Sequence, residues 1–173
     1  MDRKAEIIEE IQKSDAPLSA SALAKKLHVS RQIIVGDIAL IRASGTQILA
    51  TPRGYVWEQP QEGMKRKIVV SHARERMQEE LYAIVDQGAE VIDVIVEHPT
   101  YGQLVASLQL SSRYDVDQFI AKIKGNEPLS QLTHGVHLHT IRFKDEETFE
   151  RVQKSLRNKG LLYEEKSKSE DEF

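Results

Sequence analysis

The stretch GVHLHTIRF, Gly135 to Phe143, alternates along its length. Successive side chains of a β-strand point to opposite faces, so His137, His139, Ile141 and Phe143 share one face. Ile141 and Phe143 mark that face as the covered one, and a second layer has to lie over it. Two histidines on the covered face pack, hydrogen-bond, catalyse or hold an ion.

The flanking sequence supplies the second layer. KIVVSH (67–72), EVIDVIVEHP (90–99) and GQLVASLQLSS (102–112) read as strands. RERMQEELYAIVDQG (74–88), YDVDQFIAKIKGN (114–126) and EETFERVQKSLRNKG (146–160) read as helices, with Asp115 able to cap the second. LLYEE (161–165) reads as a final strand, and KSKSEDEF (166–173) as a charged, disordered tail. The order βαββαβαβ implies a two-layer α/β sandwich over residues 65–165, an α+β architecture.

Faces then bring distant residues together. His72 shares a face with Ile68 and Val70, and His98 follows Ile92, Val94 and Val96. Met77, Leu81, Ile84 and Val85 form the apolar stripe of the first of these helices, and Glu80 borders it. Glu79 points away with Glu75 and Asp86. Four histidines and one glutamate therefore lean toward the layer between sheet and helices. A carboxylate there is costly without a partner. The chain has no cysteine, so it forms no disulfide and any metal must take His and carboxylate ligands. His72, Glu80, His137 and His139 would make a site of three nitrogens and one oxygen for a divalent transition metal. Only neutral imidazoles bind, so affinity should fall below about pH 6.5. Other readings stay open. The His-x-His pair can be two satisfied histidines, His72 a hydrogen-bonder at a strand end, Glu80 a surface partner of Arg76, and His98 a turn residue beside Pro99. His134 falls in the loop before the strand, and His28 at a surface or turn.

The first 57 residues differ in pattern. Ile7, Ile8 and Ile11 form a helical stripe that Asp15-Ala16-Pro17 ends. Ser19 can cap a short helix with Leu23 and Leu27 four apart, and Ser30 a third helix with Ile34, Ile38 and Ile41 on one face. Gly45 ends that helix, and Gly36 inside it lowers helix stability unless its small size permits close packing. In QILATPRGYVW (47–57), two β-like runs flank the turn Thr51-Pro52-Arg53-Gly54. Three helices and a hairpin over residues 1–58 spell a winged helix-turn-helix, although a protein-interaction module shares the pattern. Its third helix would enter the major groove through Ser30, Arg31 and Gln32, while Lys25, Lys26 and Arg53 reach the DNA backbone, Arg53 from the wing tip.

Composition agrees with two small domains. The 173 residues are 40% apolar and 29% charged, with a net charge of −3. Met1 to Trp57 holds 8 Lys/Arg against 6 Asp/Glu, and the remainder 16 against 21, which places any nucleic acid at the head. EQPQEGMKRK (58–67) is the boundary. There is no apolar run of membrane-spanning length and no signal-peptide pattern at MDRKAEIIEE, so a cytoplasmic protein is expected.

Two resemblances sharpen this. LSASALAKKLHVSRQIIVGDIALIRASG, followed by GYV, resembles the winged helix at the front of the biotin-operon repressor and many bacterial regulators. VVSHARERMQEELYAIVDQGAEVIDVIVEHPTYG and PLSQLTHGVHLHTI resemble the three-histidine domain of bacterial niacin-responsive repressors, the NiaR type, which also carry a winged helix in front. That resemblance implies a homodimer that represses genes of NAD synthesis or niacin uptake, with nicotinic acid as co-repressor and a palindromic DNA operator. It implies metal ligands at His72, Glu80, His137 and His139. It makes His98 a signature residue that is not a ligand and lines the effector pocket, with Tyr101. His134 stands where a small residue is expected. The expected metal is nickel or zinc foremost, with iron and manganese staying open, and the protein is expected not to be an enzyme. The competing readings are a metal-dependent hydrolase and a DNA-binding scaffold with a purely structural metal.

Overall fold

The computed structural model describes residues 2–59 and 61–164. Among them no helix is long and apolar enough to cross a membrane. The chain divides principally between Glu62 and Gly63. The tail at 166–173 and Glu165 of the expected last strand lie outside the described residues.

The first body holds α1 (Arg3–Lys13), α2 (Ala20–Leu27), α3 (Arg31–Ala43), β1 (Ile48–Thr51) and β2 (Gly54–Trp57). Each helix starts on a side chain that accepts an otherwise unpaired backbone N–H: Asp2 from Lys4, Ser19 from Ala22 and Ser30 from Ile33. Each such cap is worth about 1 kcal/mol. Ile7, Ile11, Leu23, Ile34, Ile38, Ile41 and Ile48 close over one another as the core. β1 and β2 pair antiparallel, Ile48 opposite Trp57 and Thr51 opposite Gly54. Leu18 exchanges two backbone hydrogen bonds with Tyr55, at 2.7 and 3.0 Å, and so bridges to the wing. Gly54 permits this, since a Cβ there would lie 2.5 Å from the Leu18 backbone. Gly36 does not mediate close helix packing: a Cβ at that position meets nothing within 4 Å. Arg3 forks onto the buried Asp37 at 2.5 and 3.2 Å and ties α1 to α3.

The second body holds β3 (Met64–Ser71), α4 (Met77–Val85), β4 (Glu90–His98), β5 (Gly102–Leu110), α5 (Arg113–Ile123), β6 (Val136–Phe143) and α6 (Glu146–Asn158). The sheet order is β3-β6-β4-β5. β6 therefore lies inside the sheet, antiparallel to both neighbours, and alternates half-buried and buried along its whole length. The helices α4, α5 and α6 pack together, α4 also against β4 and α6 against β6. They bury Leu81 and Ile84 of α4, Val116 and Phe119 of α5, and Phe149, Val152 and Leu156 of α6. Phe149 stacks on Phe143 of β6 at 5.0 Å. The result is an α+β chain with its winged-helix head followed by a sheet covered by helices.

Four expectations change in detail. α5 is capped by Ser112, not Asp115; Asp115 instead accepts from the backbone and hydroxyl of Ser111. A single 3₁₀ turn, Arg74–Arg76, precedes α4. The expected final strand is reduced to a bridge between Val70 and Leu162, because the chain leaves α6 at Asn158 and, among the described residues, shares only two backbone hydrogen bonds with β3, Ser71 N–H to Leu161 and Tyr163 N–H to Val69. The alternation assumed along β4 fails. Val91 pairs with Ile141 but Ile95 with Leu138, so Ile92, Asp93 and Val94 stand opposite only Thr140 and His139. One extra residue on one strand is a β-bulge, and it switches the faces beyond it. Val94, Ile95 and Val96 are all buried; Ile95 shares a face with Leu138, so Val96 and His98 fall on the side of His137, and Ile92 no longer shares their face.

Candidate metal centre and nucleic-acid surface

β6 carries His137 and His139 to the covered face by alternation alone. β3 runs beside it, Ile68 opposite His139 and Val70 opposite His137, and His72 follows just past the end of β3. α4 crosses above with Glu80 on the face that also presents Met77, Leu81 and Ile84. Gly135 ties the two strands. Its carbonyl accepts the His72 backbone N–H at 3.4 Å and the His137 Nδ1–H at 2.8 Å. With φ +92 and a hypothetical Cβ 2.4 Å from the His72 carbonyl oxygen, only glycine fits there.

The donors converge on one carboxylate. Glu80 has 0% exposure, and His72, His137 and His139 are buried with it. Glu80 Oε2 lies 2.5 Å from His72 Nε2 and 3.4 Å from His137 Nε2, and Glu80 Oε1 lies 2.6 Å from His139 Nε2. One donor atom each from His72, Glu80 and His137 falls within a mutual span of 4.8 Å, and His139 joins through Oε1. The rings meet edge to face, His72 on His137 at 4.9 Å and His137 on His139 at 4.8 Å.

The protons are set from outside the cluster. His72 Nδ1 faces the Ala73 carbonyl at 2.8 Å, His137 Nδ1 the Gly135 carbonyl at 2.8 Å, and His139 Nδ1 the Asp93 carbonyl at 2.7 Å. A carbonyl only accepts, so each Nδ1 carries a proton. In the neutral imidazole each Nε2 then turns a lone pair toward Glu80. This outer carbonyl contact is the usual support of a metal-binding histidine. Burial by itself would lower the His72 and His139 pKa values, but the Glu80 carboxylate overcomes it and raises both above the ordinary histidine value. Burial would likewise raise the Glu80 pKa; the three imidazoles, His139 foremost, hold it well below the ordinary glutamate value. The cluster is thus stable with either protons or a cation between its donors. Glu80 Oε1 and His139 Nε2, both buried and 2.6 Å apart without a well-aligned hydrogen bond, are a pair that a shared proton or a cation between them would satisfy. Nitrogen and carboxylate donors without sulfur suit a divalent transition metal.

The remaining expected residues fall elsewhere. His98 closes a turn, its Nδ1 accepting from Thr100 N–H at 3.0 Å and Tyr101 N–H at 3.2 Å. Its Nε2 therefore carries the proton. Tyr101, 75% exposed, sets its ring 5.1 Å from that imidazole. The turn follows Ile95, which pairs with Leu138, so His98 lies at the His137 end of the sheet. His134 is an exposed left-handed residue before β6, and His28 occupies the same conformation after α2. Arg76 pairs with Glu79, which leaves Glu80 to the histidines.

On the first body, Arg31 and Gln32 stand exposed in the first turn of α3, a turn free of acidic residues. Ser30 uses its Oγ as the helix cap. Lys25 is exposed on α2, Lys26 is ion-paired with Glu10 of α1, and Arg53 lies in the turn between β1 and β2. Two contributors escape a reading by faces. Gly135 shows only as a glycine before a strand, and Asp93 only as a lone charge inside VIDVIV.

Comparison with known proteins covers both bodies. Residues 3–56 match the HTH domain family and residues 65–165 the 3H domain family. The chain is 45% identical over 166 residues to a probable transcription repressor, NiaR, of Thermotoga maritima, covering 95% of each. It is 42% identical over 167 residues to the transcription repressor NadR of Bacillus subtilis, covering 93% of each.

Proposed function

The chain belongs to the NiaR/NadR family of transcription repressors, with a DNA-binding HTH domain and a 3H domain, and from that premise we propose what it senses and what it controls. It represses genes of NAD biosynthesis or niacin uptake, with nicotinic acid as co-repressor and a divalent transition metal held by His72, Glu80, His137 and His139. The observation that carries this reading is the convergence of three imidazole Nε2 atoms on a fully buried carboxylate, each imidazole held by a carbonyl behind it. Nickel and zinc are the foremost candidates among ions that favour imidazole.

When bound, the ion supplies positive charge to a carboxylate-bearing effector. The chain supplies orientation. His98, with its proton on Nε2, is a donor suited to a carboxylate, and Tyr101 beside it offers a flat apolar face to a pyridine ring. Arg31 and Gln32 read base edges from α3, Ser30 contributes at the same helix start, and Lys25, Lys26 and Arg53 contact the DNA backbone. A homodimer reads a palindromic operator, because two-fold protein symmetry repeats the contact on each half-site. Nicotinic acid acts as co-repressor only by binding the DNA-competent state more tightly than the other state.

The test is operator binding at fixed salt with and without nicotinic acid on metal-loaded protein. Affinity rises with the acid; an unchanged affinity refutes the co-repressor assignment. A purely structural metal is the second reading, favoured by the complete burial of the cluster. Chelation separates the two. If chelation lowers stability but the still-folded protein binds nicotinic acid, the metal is structural. The hydrolase reading gives way to the family, whose named members are transcription repressors and not enzymes.

A further inference from the structure

Among the four donors, His139 is held differently from its neighbours. His72 and His137 lean on carbonyls one and two residues away in their own segments, at Ala73 and Gly135. His139 leans on a carbonyl from another strand, that of Asp93 on β4. A regular antiparallel pair would bind strand carbonyls to strand amides along this stretch. The bulge interrupts that pattern: three residues, Ile92, Asp93 and Val94, face two, Thr140 and His139. The interruption leaves a carbonyl on β4 and an amide on β6 without their regular partners. His139 Nδ1–H takes the first, at 2.7 Å from Asp93 O. Asp93 Oδ1 takes the second, at 2.8 Å from Thr140 N. One residue therefore bonds to both members of the dipeptide His139-Thr140, to one by its main chain and to the other by its side chain.

We propose that Asp93 is a positioning residue for the metal centre: its carboxylate pins the bulge to Thr140 N–H, and the pinned bulge presents the carbonyl that fixes the tautomer and orientation of His139. The inference rests on the reading of the four donors as a metal site, but its first link concerns His139 alone. A carboxylate inside a strand is otherwise unfavourable, and a bulge is a recognised means of re-aiming a side chain next to a functional site. Without the side-chain bond, Thr140 N–H is unpaired and the extra residue has nothing to hold its register. Asn retains an oxygen at the same reach, so Asp93→Asn keeps the pin and Asp93→Ala removes it.

The experiment uses the full chain in three forms, wild type, Asp93→Asn and Asp93→Ala. Nitrogen-detected NMR of the imidazoles in metal-free protein, at a pH high enough to leave them neutral, reads the His139 tautomer, and calorimetric titration with zinc or nickel reads affinity. Wild type and Asp93→Asn should both show His139 protonated at Nδ1, with affinities within about 3-fold. Asp93→Ala should lose the single Nδ1–H tautomer of His139 while His72 and His137 keep theirs, and its metal affinity should fall about 10- to 100-fold, the range for outer partners of metal ligands. If Asp93→Ala does not fold, Asp93→Ser replaces it; its hydroxyl is one bond too short to reach Thr140 and should behave as Ala. An unaltered His139 signal with unaltered affinity in the Ala or Ser variant overturns the proposal, as does an Asn variant that loses as much as Ala. Wild type that takes up neither metal overturns the metal reading instead, and the NMR comparison still decides whether Asp93 orients His139.

Discussion

Glu80 concentrates the electrostatic problem of the second body in one side chain. A carboxylate with no exposed surface carries a desolvation cost of several kcal/mol unless positive charge meets it. In metal-free protein that charge comes from protons on His72 and His139, whose pKa values Glu80 raises. The sign follows from linkage: a raised histidine pKa stabilises the fold fully below the unfolded value of about 6.5 and loses that contribution as pH climbs through the folded value. Glu80 remains ionised throughout, since its own pKa is held well below the ordinary value. A metal held by these donors would replace those protons, and so would bind better as they leave. The melting temperature of metal-loaded protein should therefore exceed that of metal-free protein by more near pH 8 than near pH 6. In Glu80→Gln, which keeps the volume and removes the charge, metal affinity should drop by more than about 100-fold and the gap should nearly close. A gap that narrows toward alkaline pH in the wild type would count against imidazole coordination.

At the scale of the element, α3 and β6 show two kinds of commitment. α3 buries Ile34, Ile38 and Ile41 and leaves Ile33, Gly36 and Leu40 outward. Gly36 meets no neighbour, so its cost to helix stability is not offset by packing. Gly36→Ala should raise the urea midpoint of the chain, by up to about 1 kcal/mol in stability, with an unchanged denaturant slope. A destabilised variant would mean that the position is occupied by a contact the isolated chain does not show. β6, by contrast, has no residue to spare. Its buried face is His137, His139, Ile141 and Phe143, half of it metal-ligand candidates and half core. A one-residue slip would turn all four outward, so the same pairing that builds the sheet also builds the site.

At the scale of the whole molecule, the proposed co-repression would make DNA binding and effector binding one free-energy account. If nicotinic acid multiplies operator affinity by some factor, operator DNA must multiply nicotinic acid affinity by the same factor. Titrating the acid into free protein and into the protein–operator complex, at one salt concentration, should return that equality. Unequal factors would mean that the acid acts on an assembly step between the two measurements rather than on one two-state equilibrium. Salt must be held constant because contacts of Lys25, Lys26, Arg31 and Arg53 with phosphate would be salt-dependent.

Periodicity in the sequence was enough to determine the three-helix head with its wing, the caps Ser19 and Ser30, the alternation of GVHLHTIRF, and the grouping of His72, Glu80, His137 and His139 on inward faces. These are legible because each follows from a local period or a single cap, and local periods are written in consecutive residues. Ile92 was wrongly grouped with Val94, Val96 and His98 because one inserted residue in β4 reverses the faces across it, and no local period announces a bulge. Asp115 looked like a cap because its residue type suits one; Ser112, three residues earlier, took the position. Only the tertiary structure decided which carbonyl fixes each imidazole, that Gly135 must lack a side chain, and that Glu80 belongs to the histidines and not to Arg76. Those depend on atoms from strands and a helix far apart in sequence, and their spacing in space exists only once the sheet has chosen its register.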